Sequence, residues 1–429
     1  MTDLPLTGRL NPDRKPHRLA DWMRAGGYEG ARRALSMDPA QVIDAVASAN
    51  LNGRGGAGFP AATKWRFMPE PSKAPGSGPN YLIVNGDEME PGAFKDRLLL
   101  EAAPHLVLEG ALITAYATHA TEAVVLIRDE YRDAHRAIAT AIAEAEAAGL
   151  LGRDILGTGF HLHVHLHPSA GRYIVGEETA LIEALEGKRA IPRKRPPFPA
   201  QSGLHGRPTT VNNVETLAHV PGILAHGAQW FRALSRTEEG GTKLFGVSGR
   251  VNRPRLIEAP MGTTARELID RAGGVSGDGE LRCFQPGGGA SGFLEPDALD
   301  LPLDFGHVRQ AGSMFGTGTL IVLDRTACPI GLLARHMRFY ARESCGWCTP
   351  CREGLPWAAR ILDALEDGAA TPQDIDILHM TAAEAGPRGR SFCDLMGGAM
   401  QPLATALARF PDLFEAHLNG GCPHRKTPA

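Results

Sequence analysis

Between residues 81 and 187 the hydrophobic pattern switches repeatedly between a strand period and a helix period. This alternation restricts the fold more than any other feature of the chain. Tyr81-Leu82-Ile83-Val84 reads as a strand that follows a loop, PEPSKAPGSGPN. Residues 97–118 read as helix, VVLIR at 124–128 as strand, and 131–149 as an alanine-rich helix. HLHVHLH at 161–167 alternates with period two, and GEETALIEALEG at 176–187 returns to helix. Strands alternating with helices predict a mostly parallel α/β sheet. One further helix is expected over 213–235.

The flanks have a different character. Residues 1–50 read as an N-terminal extension with short helices, in which Pro39-Ala40-Gln41 leads into VIDAVASAN. Past Gly240, KLFGVSG and RLIEAP read as short strands. TTARELIDRAGG reads as a helix capped by Thr263 or Thr264, with Glu267 at capping-box spacing from Thr264. With the strand TLIVLD these predict a small α+β domain. From Pro329 onward the pattern is helical with loops, ending in a polar tail, GGCPHRKTPA, expected to fray. The boundaries read from the sequence are 1–50 for the extension, 51–239 for the α/β domain, 240–328 for the α+β domain and 329–429 for the helical domain.

Composition removes several function classes. The formal net charge is -3, which supplies no long-range attraction to nucleic acid or an anionic membrane. No apolar stretch reaches the roughly 18–20 residues that span a bilayer. The polar N-terminal stretch carries no signal-peptide core. The expectation is a cytoplasmic protein that would need a partner to work at a membrane.

Seven cysteines in a large chain without an export signal are not expected to form disulfides. Cys345, Cys348 and Cys351 are spaced C-x2-C-x2-C, and Cys393 follows a helical stretch. Three thiolates around one turn can each reach a different iron of a cubane, and a remote cysteine can hold the fourth iron. Structural zinc sites more often pair their ligands as C-x2-C twice. The spacing therefore favours a [4Fe–4S] cluster over zinc. Cys283, Cys328 and Cys422 fit no motif and read as small buried hydrophobes.

Gly53, Gly55 and Gly58 satisfy G-x-G-x-x-G, but a helical segment precedes them instead of the strand that a dinucleotide fingerprint requires. The stretch reads more naturally as a backbone surface that a flat ring or pyrophosphate can approach. Arg54 and Lys64 supply charge, and Phe59, Trp65 and Phe67 are nearby aromatics. Asp87, Glu88 and Glu90 follow a strand end, where α/β proteins commonly meet ligands. Three carboxylates suit a metal, sugar hydroxyls or a carboxamide alike. Glu177 and Glu178 open a helix, where the dipole favours carboxylates, so plain capping is a serious competing reading for them. His161, His163, His165 and His167 share one strand face. Alternate positions are about 6.5–7 Å apart, too far for one ion, so these read as a polar face.

Taken together, GRGGAGFPAATKW, NGDEMEPGAFKDR, GRYIVGEETALIEALEGKRA, PPFPAQSGLHGRPTTVNNVETL, ESCGWCTPCREG and SFCDLMGGA resemble the NADH-binding flavoprotein (F-type) subunits of bacterial respiratory complex I over about residues 45–415. The resemblance implies a Rossmann-like FMN/NADH domain, a ubiquitin-like domain and a C-terminal helical bundle with the cluster. It implies FMN against Gly53, Arg54, Gly55, Gly56 and Lys64, with further contacts from Asn85, Asp87, Glu88, Gly176, Glu177, Asn212 and Asn213. It places nicotinamide near Glu90 and Tyr173, and adenine among Phe59, Phe67 and Phe198. It gives Glu178 the adenosine ribose, which predicts NADH over NADPH. Asn52, Gly86, Val175 and Arg195 stand where the family commonly has arginine, alanine, cysteine and lysine, and Arg195 bears on nucleotide affinity.

The resemblance also implies partners: a small [2Fe–2S] thioredoxin-like subunit and a larger iron–sulfur subunit, with the chain peripheral to the inner membrane. NADH gives up two electrons as a hydride, while a cluster takes one at a time, so a flavin is the required converter. No side-chain acid or base is expected for the hydride step. Two other readings stay open on the sequence alone: the diaphorase subunit of a soluble NAD-linked hydrogenase or formate dehydrogenase, and a zinc-bound scaffold without catalysis. A quinone-reductase-like flavoprotein acting alone is disfavoured because no membrane or quinone segment is visible.

Overall fold

The computed structural model describes residues 3–70, 78–277 and 279–424. Most of the loop expected before the first strand, and the last residues of the tail, lie outside that range. The described residues pack as two compact units. The first comprises Met1–Met89, Phe94–Leu244 and Glu258–Gly262, and the second comprises Glu90–Ala93, Phe245–Ile257 and Thr263–Ala429.

In the first unit the order is α1 (Leu19–Arg24), α2 (Glu29–Leu35), α3 (Pro39–Ser48), α4 (Ala61–Arg66), β1 (Asn80–Gly86), α5 (Lys95–Ala102), α6 (Pro104–Ala117) and β2 (Ala120–Arg128). Then come α7 (Arg132–Ala147), β3 (His163–Ser169), α8 (Glu178–Leu185), β4 (Thr209–Asn213), α9 (Val214–His226) and α10 (Ala228–Ala233). The sheet order is β3-β2-β1-β4, and every pair is parallel.

Burial on both sheet faces explains the continuous apolar strands. Leu82, Val84, Val125 and Ile127 pack with residues of α5, α6, α7 and α9. Ile83, Val124, Leu126 and Val211 pack with Val175, Leu181 and Ile182 on the other face. Val175 thus fills this smaller core.

The structure revises two sequence expectations and adds a strand. The helix read over 97–118 is two helices, bent by 98° where Pro104 begins the second. Proline lacks the amide hydrogen a continuous helix needs and suits a first turn. The helix read over 213–235 breaks at Gly227, whose φ is +94°. The strand β4 has no signal in the sequence pattern, because Thr209-Thr210-Val211-Asn212-Asn213 contains one apolar residue. It forms because β1 offers it a partner edge, in register from Tyr81↔Thr209 to Asn85↔Asn213.

The chain passes between the units within β5 (Thr242–Gly249) and β6 (Arg255–Pro260). The second unit continues with α11 (Ala265–Arg271), β7 (Leu281–Gln285), α12 (Phe305–Gln310) and β8 (Thr319–Asp324). The second sheet has the order β6-β5-β8-β7, with β5 parallel and β7 antiparallel to β8. Thr264 caps α11 and forms the expected capping box with Glu267. Helices α13 (Pro329–Glu343), α14 (Leu355–Asp367), α15 (Pro372–Ala385), α16 (Leu395–Arg409) and α17 (Pro411–Leu418) complete the unit. Leu333, Met337, Tyr340, Leu355, Leu362, Met396 and Leu403 are fully buried among them. The fold class is therefore the expected one: parallel α/β, α+β and helical parts in one chain.

Among the described residues no single helix is long and apolar enough to cross a membrane.

Candidate functional site

In the first sheet the chain moves outward from β1 to β2 and β3, then returns to place β4 on the opposite side of β1. The crevice beyond the carboxyl ends of β1 and β4 is thus a topological switch point, where open α/β sheets bind ligands. Asn85 and Gly86 end β1, and Asn212 and Asn213 end β4. The glycine loop comes to this same place. An added Cβ at Gly55 would sit 3.0 Å from the Asn213 Cβ, so the loop backbone lies directly against the end of β4. Trp65 Nε1 donates to Asn212 Oδ1 at 3.1 Å.

The head of α8 joins the group. Asn85 Nδ2 donates to the Gly176 carbonyl at 3.2 Å, and Lys64 Nζ donates to Glu178 Oε2 at 2.6 Å. Arg195, which also bonds Glu177, lies 3.4 Å from Glu178 Oε1. Burial alone would raise the Glu178 carboxyl. The charge and hydrogen bond of Lys64, with the charge of Arg195, hold it below its ordinary value. Phe59 and Phe67 lie with ring centroids 6.4 Å apart and are 49% and 61% exposed. Phe198 is similarly open, at 52%. Large apolar rings left in solvent are what a flat ligand would cover. Tyr173 opens a 3-10 turn, Tyr173–Gly176, immediately before α8.

Several predicted site residues take local structural roles. Glu177 is the N-cap of α8: it accepts from Thr179 N at 3.0 Å and Ala180 N at 2.8 Å. Glu88 caps α5 by accepting from Lys95 N at 2.8 Å, Asp96 N at 3.1 Å and Arg97 N at 3.2 Å. Burial, then the charge of Asp96, pushes Glu88 up to about 7. Arg54 is fully buried, donating from Nη2 to the Gly240 carbonyl at 2.6 Å and from its amide to Thr216 Oγ1 at 2.8 Å. It anchors the glycine loop from beneath instead of offering its charge to solvent. Glu90 belongs to the second unit, where it accepts from Ala290 N at 2.7 Å. Among the described residues, Asp87, Glu88 and Glu90 are not among the side chains whose ligand atoms gather closely enough to share one ion. His165 pairs with Glu122 at 2.7 Å on the exposed face of β3, as a polar face should.

Sequence reasoning misses the charges behind the asparagines. Lys95 Nζ lies 2.8 Å from Asp96 and 2.9 Å from Glu215, and Lys243 Nζ lies 2.5 Å from Glu215. Asn213 donates to Asp96 Oδ2 at 2.7 Å, and its Oδ1 caps α9 by accepting from Glu215 N at 3.0 Å. All four charged residues are buried. Burial opposes ionisation of Glu215, yet Lys243 and Lys95 hold its carboxyl down to about 2. The network fixes the asparagine that the glycine loop rests on. Charges inside otherwise apolar runs, in FKDRLLL and NNVETL, are the signal that could have revealed it.

In the second unit the cysteine turn follows α13. Ser344 Oγ accepts from Gly346 N at 3.1 Å, Gly346 takes a φ of +70°, and Cys351 falls in a short π-helical turn, Pro350–Gly354. Cys393 sits just ahead of α16, held by Ser391 Oγ donating to its carbonyl at 2.9 Å. Burial raises the Cys351 thiol, and the adjoining Cys348 and Cys393 raise it further. Soft thiols gathered from one turn and one remote loop suit iron–sulfur ligation, since bound iron replaces the protons this environment favours. Gly176 and the glycine loop likewise suit a flavin: nothing lies within 4 Å of a Cβ added at Gly176, which leaves room beside the Asn85 amide. Cys283 stays a buried core residue. Cys328 and Cys422, also read as small hydrophobes, instead meet Glu366 and His417.

A Rossmann-like switch-point site together with a three-cysteine turn and a remote fourth cysteine defines a flavin- and cluster-carrying oxidoreductase class. Residues 46–222 match the Nuo51 FMN-binding domain, 331–417 the NADH-ubiquinone oxidoreductase-F iron-sulfur binding region, and 244–292 the SLBB domain. The F-type subunit of the Escherichia coli NADH-quinone oxidoreductase is 49% identical over 414 residues, covering 96% of this chain and 92% of that one. Its counterpart from Mycobacterium tuberculosis is 45% identical over 423 residues, covering 98% and 95%. A chain of an NAD+-reducing [NiFe]-hydrogenase in its H2-reduced state superposes with a TM-score of 0.81 at 34% identity, covering 94% of this chain and 67% of that one. The chain belongs to the family of F-type subunits of NADH-quinone oxidoreductase.

Proposed function

We propose that this chain is the NADH-oxidising flavoprotein subunit of an NADH:quinone oxidoreductase, with FMN at the switch point and a [4Fe–4S] cluster in the helical unit. The observation that carries this is the convergence of the glycine loop, the ends of β1 and β4 and the head of α8, in a chain 49% identical to an F-type subunit over nearly its whole length. FMN, when bound, accepts an electron pair and releases electrons singly, which joins nicotinamide to cluster chemistry.

The chain's own residues bind and orient. Gly53, Gly55, Gly56 and Gly176 leave backbone open to the flavin, and Lys64 adds positive charge for phosphate. Asn85, Asp87, Asn212 and Asn213 supply polar partners to the flavin, while Glu88, Glu177 and Arg54 hold the surrounding backbone. Tyr173 and Glu90 position nicotinamide, Phe59, Phe67 and Phe198 take adenine, and Glu178 takes the adenosine ribose. Cys345, Cys348, Cys351 and Cys393 ligate the cluster. The functional division is 1–50, 51–239, 240–328 and 329–429, the third being ubiquitin-like. The partners are a small [2Fe–2S] thioredoxin-like subunit and a larger iron–sulfur subunit, and the complex works on the cytoplasmic side of the inner membrane.

Purification with neighbouring subunits, followed by iron, FMN and NADH:ferricyanide assays, tests this reading. Zinc without iron in the cysteine turn and no flavin would overturn it. A second reading, the diaphorase subunit of a soluble hydrogenase, draws on the structural match at a TM-score of 0.81. Co-purifying hydrogenase subunits would select it.

A further inference from the structure

Four ligand-type side chains of the second unit, separate from the cysteine turn in sequence, converge on one point. They are Cys328, Glu366, His417 and Cys422, whose ligand atoms all lie within 4.8 Å of one another. Cys328 Sγ is 3.4 Å from His417 Nε2 and 4.0 Å from Glu366 Oε1. His417 Nε2 is 3.1 Å from Glu366 Oε1. Zinc bonds of about 2.3 Å to sulfur and about 2.0–2.1 Å to nitrogen or oxygen give tetrahedron edges of about 3.3–3.8 Å. The observed separations bracket those edges.

The ligand set is also held in place. His417 is fully buried, and its Nδ1 lies 2.6 Å from the Leu413 carbonyl. That bond puts the ring proton on Nδ1 and directs the Nε2 lone pair at Glu366 and Cys328, the usual orientation of a metal-bound histidine. Cys328 is the N-cap of α13, and Glu366 lies in the last turn of α14. The tail brings the fourth ligand back: Gly421, with φ of +83°, donates from its amide to the His417 carbonyl at 3.0 Å, and Cys422 N donates to the Glu366 carbonyl at 3.1 Å. Of the tail expected to fray, Gly421 and Cys422 are thus tied back to α17 and α14, and its last residues lie outside the described range. Once the two thiols give up their protons, two sulfurs, an imidazole lone pair and a carboxylate face one another as electron donors, and a shared cation is what satisfies them together.

We propose that Cys328, Glu366, His417 and Cys422 form a structural zinc site that clasps the C-terminal tail to α13 and α14. Four protein ligands leave no open position, so the site is closed and non-catalytic. Zinc displaces the two thiol protons on binding.

The test is metal analysis and zinc-edge X-ray absorption of the purified full-length holoprotein. Wild type should carry one zinc per chain beside its cluster iron, with two sulfur and two nitrogen or oxygen neighbours. Cys422→Ser and Cys328→Ser should each lower zinc at least about fivefold, since removing a ligand sharply weakens a closed site. Iron, FMN and NADH:ferricyanide rates should stay at wild-type level in Cys422→Ser. Wild type with full iron but no zinc would overturn the proposal. So would zinc unchanged in either variant, absorption without sulfur neighbours, or a Cys328–Cys422 disulfide in non-reduced peptide maps.

Discussion

Lys64 Nζ donates to Glu178 Oε2 across 2.6 Å, so the cation of α4 and the first anion of α8 hold one another. Their side chains are 32% and 22% exposed, so the pair closes a partly sheltered surface. Arg195, 3.4 Å from Glu178, adds a second cation. One carboxylate is thus set between two positive groups, and the proposed ribose contact of Glu178 makes it the point at which nucleotide selectivity is tested.

Changing Glu178 to Gln removes that carboxylate and releases Lys64 and Arg195 toward a 2′-phosphate. The kcat/KM ratio of NADPH to NADH should rise about tenfold, equivalent to ~1.4 kcal/mol. An unchanged ratio in steady-state kinetics would contradict the ribose placement.

Changing Lys64 to Ala removes positive charge beside the glycine loop and leaves Glu178 with Arg195 alone. FMN retained through gel filtration should fall, or the KM for NADH should rise, by about tenfold. Normal flavin content with a normal KM would argue against a phosphate-facing role.

Changing Cys393 to Ala should abolish the EPR signal of the reduced cluster and lower bound iron. FMN should remain, because the switch-point residues belong to the other compact unit. An intact signal would remove Cys393 from the ligand set.

His219 gives a pH prediction. It is fully buried in α9, neither ring nitrogen has a hydrogen-bond partner, and it packs edge-on against Phe231 at 5.2 Å. Burial first, then the charge of Arg54, brings its pKa down to about 3. The unfolded chain protonates this residue below about pH 6.5 and the folded chain does not, so stability falls as pH drops from about 6.5 toward 3. Glu88 and Glu109, each raised to about 7, act in the opposite sense between about 7 and 4.5, but equally in wild type and variant. His219→Leu should lose about 2 kcal/mol less than wild type between pH 6.5 and 5, the limit for one group. Equal losses in denaturant titrations at the two pH values would refute this.

Legibility follows the physics of each element. Apolar periodicity reveals β1, β2 and α7 because their burial is one- or two-sided and continuous. It misses β4, whose strand character comes from the edge of β1 and whose side chains are mostly polar. The glycine loop is recognisable as a close-approach surface. That Arg54 turns inward is not, because glycine-rich sequence leaves side-chain direction to the packing around Thr216 and Gly240. The capping duties of Glu88 and Glu177 are local and open to sequence reading, and capping is one of the two readings that the sequence allows for Glu177.

By itself the sequence determined the α/β alternation, the C-x2-C-x2-C turn with its remote fourth cysteine, and, through its long motifs, the family. These are properties of periodicity and spacing, which are local along the chain. Only the tertiary structure decided which polar groups meet. It joined Lys64 to Glu178 across 114 positions, and it set Cys328 beside His417 across 89. Such pairs depend on how separate elements pack, and no local pattern of residues encodes that distance.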